Sequence, residues 1–217
     1  MLVWQDMPQC FDKEGPKHER ILSDSAKAQW LIEWKRILSQ CSNHPSIIAW
    51  TTFNEAWGQH DTQSIAAMTK QLDPSRLVNA ASGWADMKVG DIHDTHAYPG
   101  PWCENADPNR AAVNGEFGGL TMRVPDHMWT TDVFGYGGTL KSSWKVTQQY
   151  QKLLKTAYRL RDERGASAFV YTQLVDVEHE SNGLLTYDRA IIKPLSEFIA
   201  AANRGEFPSL PPEPGKN

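Results

Sequence analysis

The chain has 217 residues, a formal net charge of −4 and a pI near 6.0, so it offers no basic surface for a nucleic acid partner. No apolar run approaches the ~20 residues of a membrane-spanning helix. The N-terminus MLVWQDMPQ is not a signal peptide, which favours a cytoplasmic location unless a longer protein supplies its own leader. Three cysteines, Cys10, Cys41 and Cys103, have no metal-ligand spacing and are interpreted as reduced and structural.

Strands and helices are predicted in alternation along the first half of the chain. Apolar runs predict strands, and apolar residues at helical spacing predict helices. In chain order these elements are a strand at Leu2–Gln5, a helix over Ser23–Cys41, a strand at Ile47–Phe53, a helix containing Ile65, Met68 and Leu72, and a strand at Leu77–Ala81.

The second half continues the alternation less regularly. The predicted elements are strands at Ile92–Tyr98 and Ala111–Glu116, a helix over Trp144–Arg164, a strand at Ser167–Val175 and a helix over Pro194–Ala202. Strands that are mostly followed by helices predict a parallel α/β fold. Periodicity alone places a (β/α) barrel only slightly ahead of an open doubly wound sheet. No Gly-rich phosphate loop follows any predicted strand, which weakens nucleotide-binding versions of the open sheet.

Two carboxylates follow two of these apolar strands. Glu55 comes after Ile47–Phe53, and Glu116 ends the strand that leads into Gly118 and Gly119. The carboxyl ends of parallel strands are where α/β folds place their chemistry. A protonated and an ionised carboxyl on neighbouring strand ends are the pair that glycoside hydrolysis needs. The alternative for either acid is a solvated loop residue.

Three motifs resemble those of glycoside hydrolase family 2, which contains β-galactosidases, β-glucuronidases and β-mannosidases. They are HPSIIAWTTFNEAWGQ at 44–59, NGEFGG at 114–119 and AFVYTQLVDVEHESNGLLTYDR at 168–189. The similarity runs from Leu2 to about Gly205 in the family's order. It implies part of a catalytic (β/α)₈ TIM barrel over 1–205. The high proline content from Pro208 onward predicts a disordered tail over 206–217.

The resemblance implies a retaining O-glycosyl hydrolase of β-galactosidase-like type, acting on a carbohydrate substrate without a cofactor or metal. Glu55 would be the general acid/base and Glu116 the nucleophile, with their carboxyl groups about 5–5.5 Å apart. Asn54 would bind the sugar's 2-hydroxyl, and Tyr98 would hold the carboxylate of Glu116.

Five further residues are candidate substrate contacts. Strand alternation puts Asp94, His96 and Tyr98 on one side and His93 on the other. His96 is therefore the better site candidate, although a packing role is equally open. Rings in polar loops often hold sugars, so Trp57 and Trp84 could form sugar-stacking walls or simply close the barrel mouth. Asp6 reaches the same rim, where it could bind a substrate hydroxyl or only solvate a loop. Gln173 stands in the β8 position where the family often has Trp at the base of the substrate pocket.

By the family's strand count, Leu2–Gln5 is the third barrel strand. Two N-terminal barrel strands and the β-sandwich domains that precede the barrel in the family are then expected in a full-length protein. Six predicted strands do not close an eight-stranded barrel. One alternative function is therefore an inactive carbohydrate-binding or structural remnant. A third hypothesis is a metal-dependent hydrolase that uses His93, Asp94 and His96.

Overall fold

A computed structural model describes residues 1–9 and 19–215. Cys10 lies outside the described residues, whereas Cys41 and Cys103 are free thiols. The chain forms two compact units. The first comprises Met1–His96 and Cys103–Gly115, and the second comprises Ala97–Trp102 and Glu116–Asn217. Among the described helices, none combines the length and apolar character needed to cross a bilayer.

A parallel three-stranded sheet organises the first unit. Its strands β1 (Val3–Asp6), β2 (Ile47–Thr51) and β3 (Leu77–Asn79) lie in the order β1–β2–β3. Helix α1 (Asp24–Cys41) connects the first two strands, and α2 (Thr62–Leu72) connects the second and third. Strands joined by helices in this way are the predicted βαβ pattern, and the α/β class with parallel sheets is confirmed.

The core of this unit lies under α1. Ser23 caps the helix by accepting a hydrogen bond from the Ala26 amide at 3.2 Å. The apolar positions of α1 then face the sheet at helical spacing, so Trp30 and Trp34 are buried as predicted. Trp30 stacks on Phe53 with ring centroids 5.0 Å apart. This packing fixes the segment that leads from β2 to Glu55.

A charged network joins β2 to the turn before β3. Asp73 accepts hydrogen bonds from the indole of Trp50 at 2.9 Å and from Arg76 at 2.5 Å. Burial alone would raise the pKa of Asp73, but hydrogen bonds from Ser75, Arg76 and Trp50 lower it to about 2. Arg76 also donates to the carbonyl of Ile47 at 2.8 Å. The network therefore fixes the N-terminal end of β2.

Strands β4 (Ile92–Ala97) and β5 (Ala111–Gly118) begin in the first unit and end in the second. They belong to a sheet of order β4–β5–β8, in which β8 is Ala168–Thr172. A third sheet pairs β6 (Leu120–Met122) with β7 (Tyr136–Leu140) in parallel. β6 and β7 were not predicted, because one is three residues long and the other contains two glycines.

Two helices, α3 (Ser143–Arg164) and α4 (Ser196–Asn203), pack in the second unit around Val146, Tyr150 and Ile199. The α3 helix ends where predicted, at Arg164, because Gly165 takes the left-handed conformation that closes helices, with φ +72°.

Residues 206–215 have no helix or strand. Several residues of this tail contact α3 or pack beside it. The indole of Trp144 donates to the carbonyl of Pro211 at 2.7 Å, Gln151 donates to the carbonyl of Pro208 at 3.1 Å, and Phe207 packs in the α3/α4 core.

The described strands do not form a closed barrel, and six predicted strands were not expected to close one. The described strands form three separate sheets, ordered β1–β2–β3, β4–β5–β8 and β6–β7. A barrel requires one hydrogen-bonded ladder that returns to its first strand. β3 is only three residues long and does not join the sheet of β4, so the ladder is interrupted there.

Candidate active site

The first unit presents Glu55 on a turn beyond β2. The parallel pairing of β2 with β3 continues past both strands, because Asn54 bridges to Ser82 and the Glu55 amide donates to the carbonyl of Ser82 at 3.0 Å. Glu55 and Ala56 then take left-handed backbone conformations, with φ of 53° and 62°. Non-glycine residues seldom adopt this conformation, and where they do the site is often functional. The turn carries Glu55 out of the strand direction.

A histidine holds the Glu55 carboxylate. His96 Nδ1 and Glu55 Oε1 share a hydrogen bond of 2.9 Å, and the His96 side chain is only 2% exposed against 22% for Glu55. The indole of Trp84 donates to the backbone carbonyl of Glu55 at 2.8 Å, and its ring meets His96 at 6.1 Å. A β-carbon at Gly83 would lie 2.9 Å from the His96 ring. Glycine there leaves room for the histidine beside the acid.

Asp94 lies two residues before His96 on β4 and is 3% exposed. It accepts hydrogen bonds from Asn79 Nδ2 at 2.8 Å and from the Gly115 amide at 2.7 Å. Burial raises the pKa of Asp94 to about 6, although the neighbouring His96 and both hydrogen bonds act to lower it. A β-carbon at Gly115 would overlap the Asp94 oxygens, so the glycine admits the carboxyl. Sequence reasoning placed Asp94 on this face but assigned it only to a metal site.

The contacts of the two β4 histidines argue against the predicted alternative of a shared metal site. His93 Nε2 lies 3.6 Å from Asp86, which is bound to Arg110, whereas His96 pairs with Glu55. This difference agrees with the predicted alternation of side chains along β4.

Three other predicted substrate contacts lie in the first unit, namely Asn54, Asp6 and Trp57. Asn54 accepts a hydrogen bond from Ser82 at 2.8 Å and donates to Gln9 at 3.2 Å. Asp6 lies at the end of β1, opposite Thr51 in the sheet register, and burial of its carboxyl raises the pKa of Asp6 although Thr51 and the charge of His96 act to lower it. Trp57 is half-buried, and its amide donates to the Asn54 carbonyl at 3.0 Å. Of these, Asn54 is the most firmly fixed.

The second unit presents Glu116 beside a tyrosine. The Tyr98 hydroxyl donates a hydrogen bond to Glu116 Oε2. Burial raises the pKa of Tyr98 well above its usual range, and the charge and hydrogen bond of Glu116 raise it further. Tyr98 therefore keeps its proton, which makes it a steady donor to an ionised carboxylate. This is the contact that the family resemblance implied.

Gln173, at the end of β8, lies in a polar group of the same unit. Its amide donates to Asn182 at 2.6 Å and to Glu180 at 3.4 Å, and Asn182 donates to Glu180 at 3.1 Å. Asn182 and Glu180 were not predicted, because nothing in the spacing of a loop reveals which of its residues turn back toward the strand.

Comparison with known proteins extends the sequence resemblance. The family profile described as Glycosyl hydrolases family 2, TIM barrel domain, matches residues 2–112. The β-galactosidase of Photobacterium profundum is 35% identical over 72 residues, which are 31% of this chain and 7% of that protein. The β-galactosidase of Psychromonas ingrahamii is 39% identical over 57 residues, which are 26% of this chain and 6% of that protein. The matched part is thus a small share of each relative.

Solved structures resemble a larger part of the chain. An FMN-binding β-glucuronidase of Faecalibacterium prausnitzii L2-6 matches 88% of this chain and 33% of its own, with a TM-score of 0.60 and 17% identity. A β-glucuronidase of Bacteroides uniformis matches 91% of this chain and 27% of its own, with a TM-score of 0.59 and 15% identity. At these identities the likeness concerns the fold alone.

Proposed function

Since this chain belongs to glycosyl hydrolase family 2, we propose that it carries the acid/base and the nucleophile of a retaining β-glycosidase. The observation that carries the proposal is that each strand-end carboxylate has its own hydrogen-bonding partner. Glu55 is paired with the buried His96, and Glu116 accepts from Tyr98. Two carboxylates, each fixed by a different partner, are the pair of groups that retaining glycoside hydrolysis uses as acid/base and nucleophile.

Glu116 is the proposed nucleophile. A hydrogen bond from Tyr98 to Oε2 favours the ionised form of Glu116 and helps to orient the carboxylate that attacks the anomeric carbon. The bond from that carbon to the leaving oxygen breaks as the glycosyl ester forms.

Glu55 is the proposed acid/base. It gives its proton to the departing oxygen in the first step and takes a proton from water in the second, when water releases the sugar from Glu116. His96 is hydrogen-bonded to the carboxyl throughout and can stabilise the charge that Glu55 acquires. Asn54, the residue before Glu55, is proposed to bind the sugar's 2-hydroxyl.

The proposed substrate class is a terminal β-linked pyranose. Partial sequence matches to β-galactosidases support a β-galactoside, while the neighbouring folds are those of β-glucuronidases. We propose Trp57, Trp84, Asp6 and Gln173 as contacts that distinguish these sugars. Gln173 replaces the Trp that family members often carry, so its substitution should alter preference more than rate.

Two substitutions test the assigned roles. Glu116→Gln removes the nucleophile and is expected to lower kcat by about a thousandfold or more, as loss of a nucleophile does in other hydrolases. Glu55→Ala removes the acid/base, and added azide should restore turnover of an activated aryl glycoside by attacking the glycosyl ester.

Glu104→Gln, at an exposed loop acid, is the matched control and should leave turnover unchanged. Undiminished turnover in Glu116→Gln would overturn the assignment. Sugar-dependent quenching of Trp fluorescence without any hydrolysis would favour a binding remnant instead.

A further inference from the structure

A second tyrosine lies on the ring of Tyr98. Tyr136, the first residue of β7, stacks on Tyr98 with ring centroids 3.8 Å apart and planes inclined by only 7°. Phe134 meets the Tyr136 ring edge-on at 5.2 Å and 77°. Parallel stacking at this distance is more specific than general apolar packing, because it fixes the plane of both rings.

The backbone beneath the ring pair is adapted to it. Gly119 has φ +62°, and a β-carbon there would overlap the Tyr136 ring and lie 3.2 Å from Tyr98. The Gly119 amide donates to the carbonyl of Thr172 at 2.7 Å, and its carbonyl accepts from the Tyr136 amide at 3.3 Å. Glycine at position 119 thus leaves space for both rings, and its backbone hydrogen bonds link this position to β8 and β7.

The orientation of the Tyr98 ring determines where its hydroxyl lies. Rotation about the side-chain torsions of Tyr98 would carry the hydroxyl away from Glu116 Oε2. Because the Tyr136 ring lies against one face of the Tyr98 ring, it blocks Tyr98 from moving out of its own ring plane on that side. A misplacement of about 1 Å at a reacting group can cost as much as a hundredfold in rate.

We infer that Tyr136 is a positioning residue for Glu116, which it orients through the stacked ring of Tyr98. The inference rests on the proposed nucleophilic role of Glu116. Tyr136 lies in a segment that no predicted element included, so the inference adds to the site a residue outside the three family motifs.

The inference is tested by Tyr136→Leu and Tyr136→Phe, each made in the native chain and in a Tyr98→Phe chain. Leu removes the aromatic face, and Phe keeps it. With an activated aryl glycoside, Tyr136→Leu is expected to lower kcat about tenfold with little change in KM, because the positioning of the nucleophile is lost. Tyr136→Phe should recover most of that rate.

In the Tyr98→Phe chain, the Leu substitution should have less than about a twofold effect, since the hydroxyl that it positions is already gone. Equal losses from Tyr136→Leu in the two chains would overturn the inference. So would a Tyr136→Phe variant as impaired as Tyr136→Leu. Tyr187→Leu, at an exposed ring of the same unit, is the matched control.

A second readout does not depend on turnover. A tyrosine hydroxyl bonded to a carboxylate gives a downfield, slowly exchanging proton resonance, which can be assigned to Tyr98 by its loss in Tyr98→Phe. Tyr136→Leu is expected to shift this resonance upfield and speed its exchange, and an unchanged resonance would contradict the inference. If the native chain lacks activity, the proposed function fails while the resonance still tests the contact.

Should Tyr136→Leu not fold, Phe134→Ala removes the ring that meets Tyr136 from a position that is 46% exposed. The Tyr98 resonance should then move in the same direction by a smaller amount. A Tyr98 resonance identical to the native one in Phe134→Ala would overturn the inference in that case.

Discussion

At the scale of single residues, Asp94 links the proposed active site to the pH dependence of the protein. Its carboxyl is 3% exposed, and its pKa is raised from 3.8 to about 6. A raised pKa means that the folded state binds the proton more tightly than the unfolded state. Protonation of Asp94 therefore contributes about 3 kcal/mol to the free energy of unfolding at low pH. This contribution is complete below about pH 4 and is lost as the pH rises through about 6.

Asp94→Asn should therefore remove this part of the pH dependence. Chemical denaturation between pH 4 and 7 is expected to show the free energy of unfolding of Asp94→Asn changing less over that range than that of the native protein. Asp132→Asn, at an exposed loop acid, should retain the native dependence. If the curves for Asp94→Asn and the native protein run parallel, Asp94 does not titrate as the structure indicates.

Some residues of the proposed site could be predicted from the sequence, and others could not. Glu55 and Glu116 could be found because each ends an apolar strand, and the family motifs around them assign their roles. Tyr136 could not be found in this way, since its partner Tyr98 follows β4, far away in the sequence, and only the folded chain brings the two rings together. The hydrogen bond from Trp84 to the carbonyl of Glu55 likewise depends on the turn at Gly83.

At the scale of elements, the Asp73 network tests how β2 is held. Asp73 is 8% exposed, and its pKa is lowered from 3.8 to about 2. A lowered carboxyl pKa contributes stability that is present above about pH 4 and lost as pH falls through about 2. The shift corresponds to about 2 kcal/mol.

Asp73→Asn is expected to lower the free energy of unfolding at neutral pH by about 2 kcal/mol, because Arg76 loses its charged partner. The same variant should lose less stability than the native protein between pH 4 and 2. Thermal unfolding monitored by Trp fluorescence measures both effects, with Asp126→Asn as an exposed control. A neutral-pH stability equal to that of the native chain would show that the network contributes nothing to holding β2.

The elements themselves were predictable where their residues are strongly periodic. α1, α3 and β2 follow the predicted ranges to within two residues, because Trp and aliphatic side chains recur at the spacing of each structure. β3 is shorter than predicted and β6 and β7 were missed. Strands this short or this rich in glycine are defined by their pairing partners and have little pattern of their own.

At the scale of the whole molecule, the α/β class follows from the order of strands and helices, but barrel closure does not. Closure depends on a continuous ladder of strands, and the described strands form three separate sheets. Each compact unit nonetheless holds one of the two proposed catalytic carboxylates, Glu55 in the first and Glu116 in the second. The proposed activity therefore requires both units to be folded.

The most direct test of the central claim is covalent labelling of the nucleophile. The purified chain would be incubated with 2-deoxy-2-fluoro glycosides of galactose, glucuronic acid and mannose, and then analysed by intact-mass spectrometry and peptide mapping. We predict one sugar adduct per chain, mapped to Glu116 and absent from Glu116→Gln, with the reacting sugar identifying the substrate class. An adduct on another residue, or none on a chain shown to be folded by near-ultraviolet circular dichroism, would contradict the account.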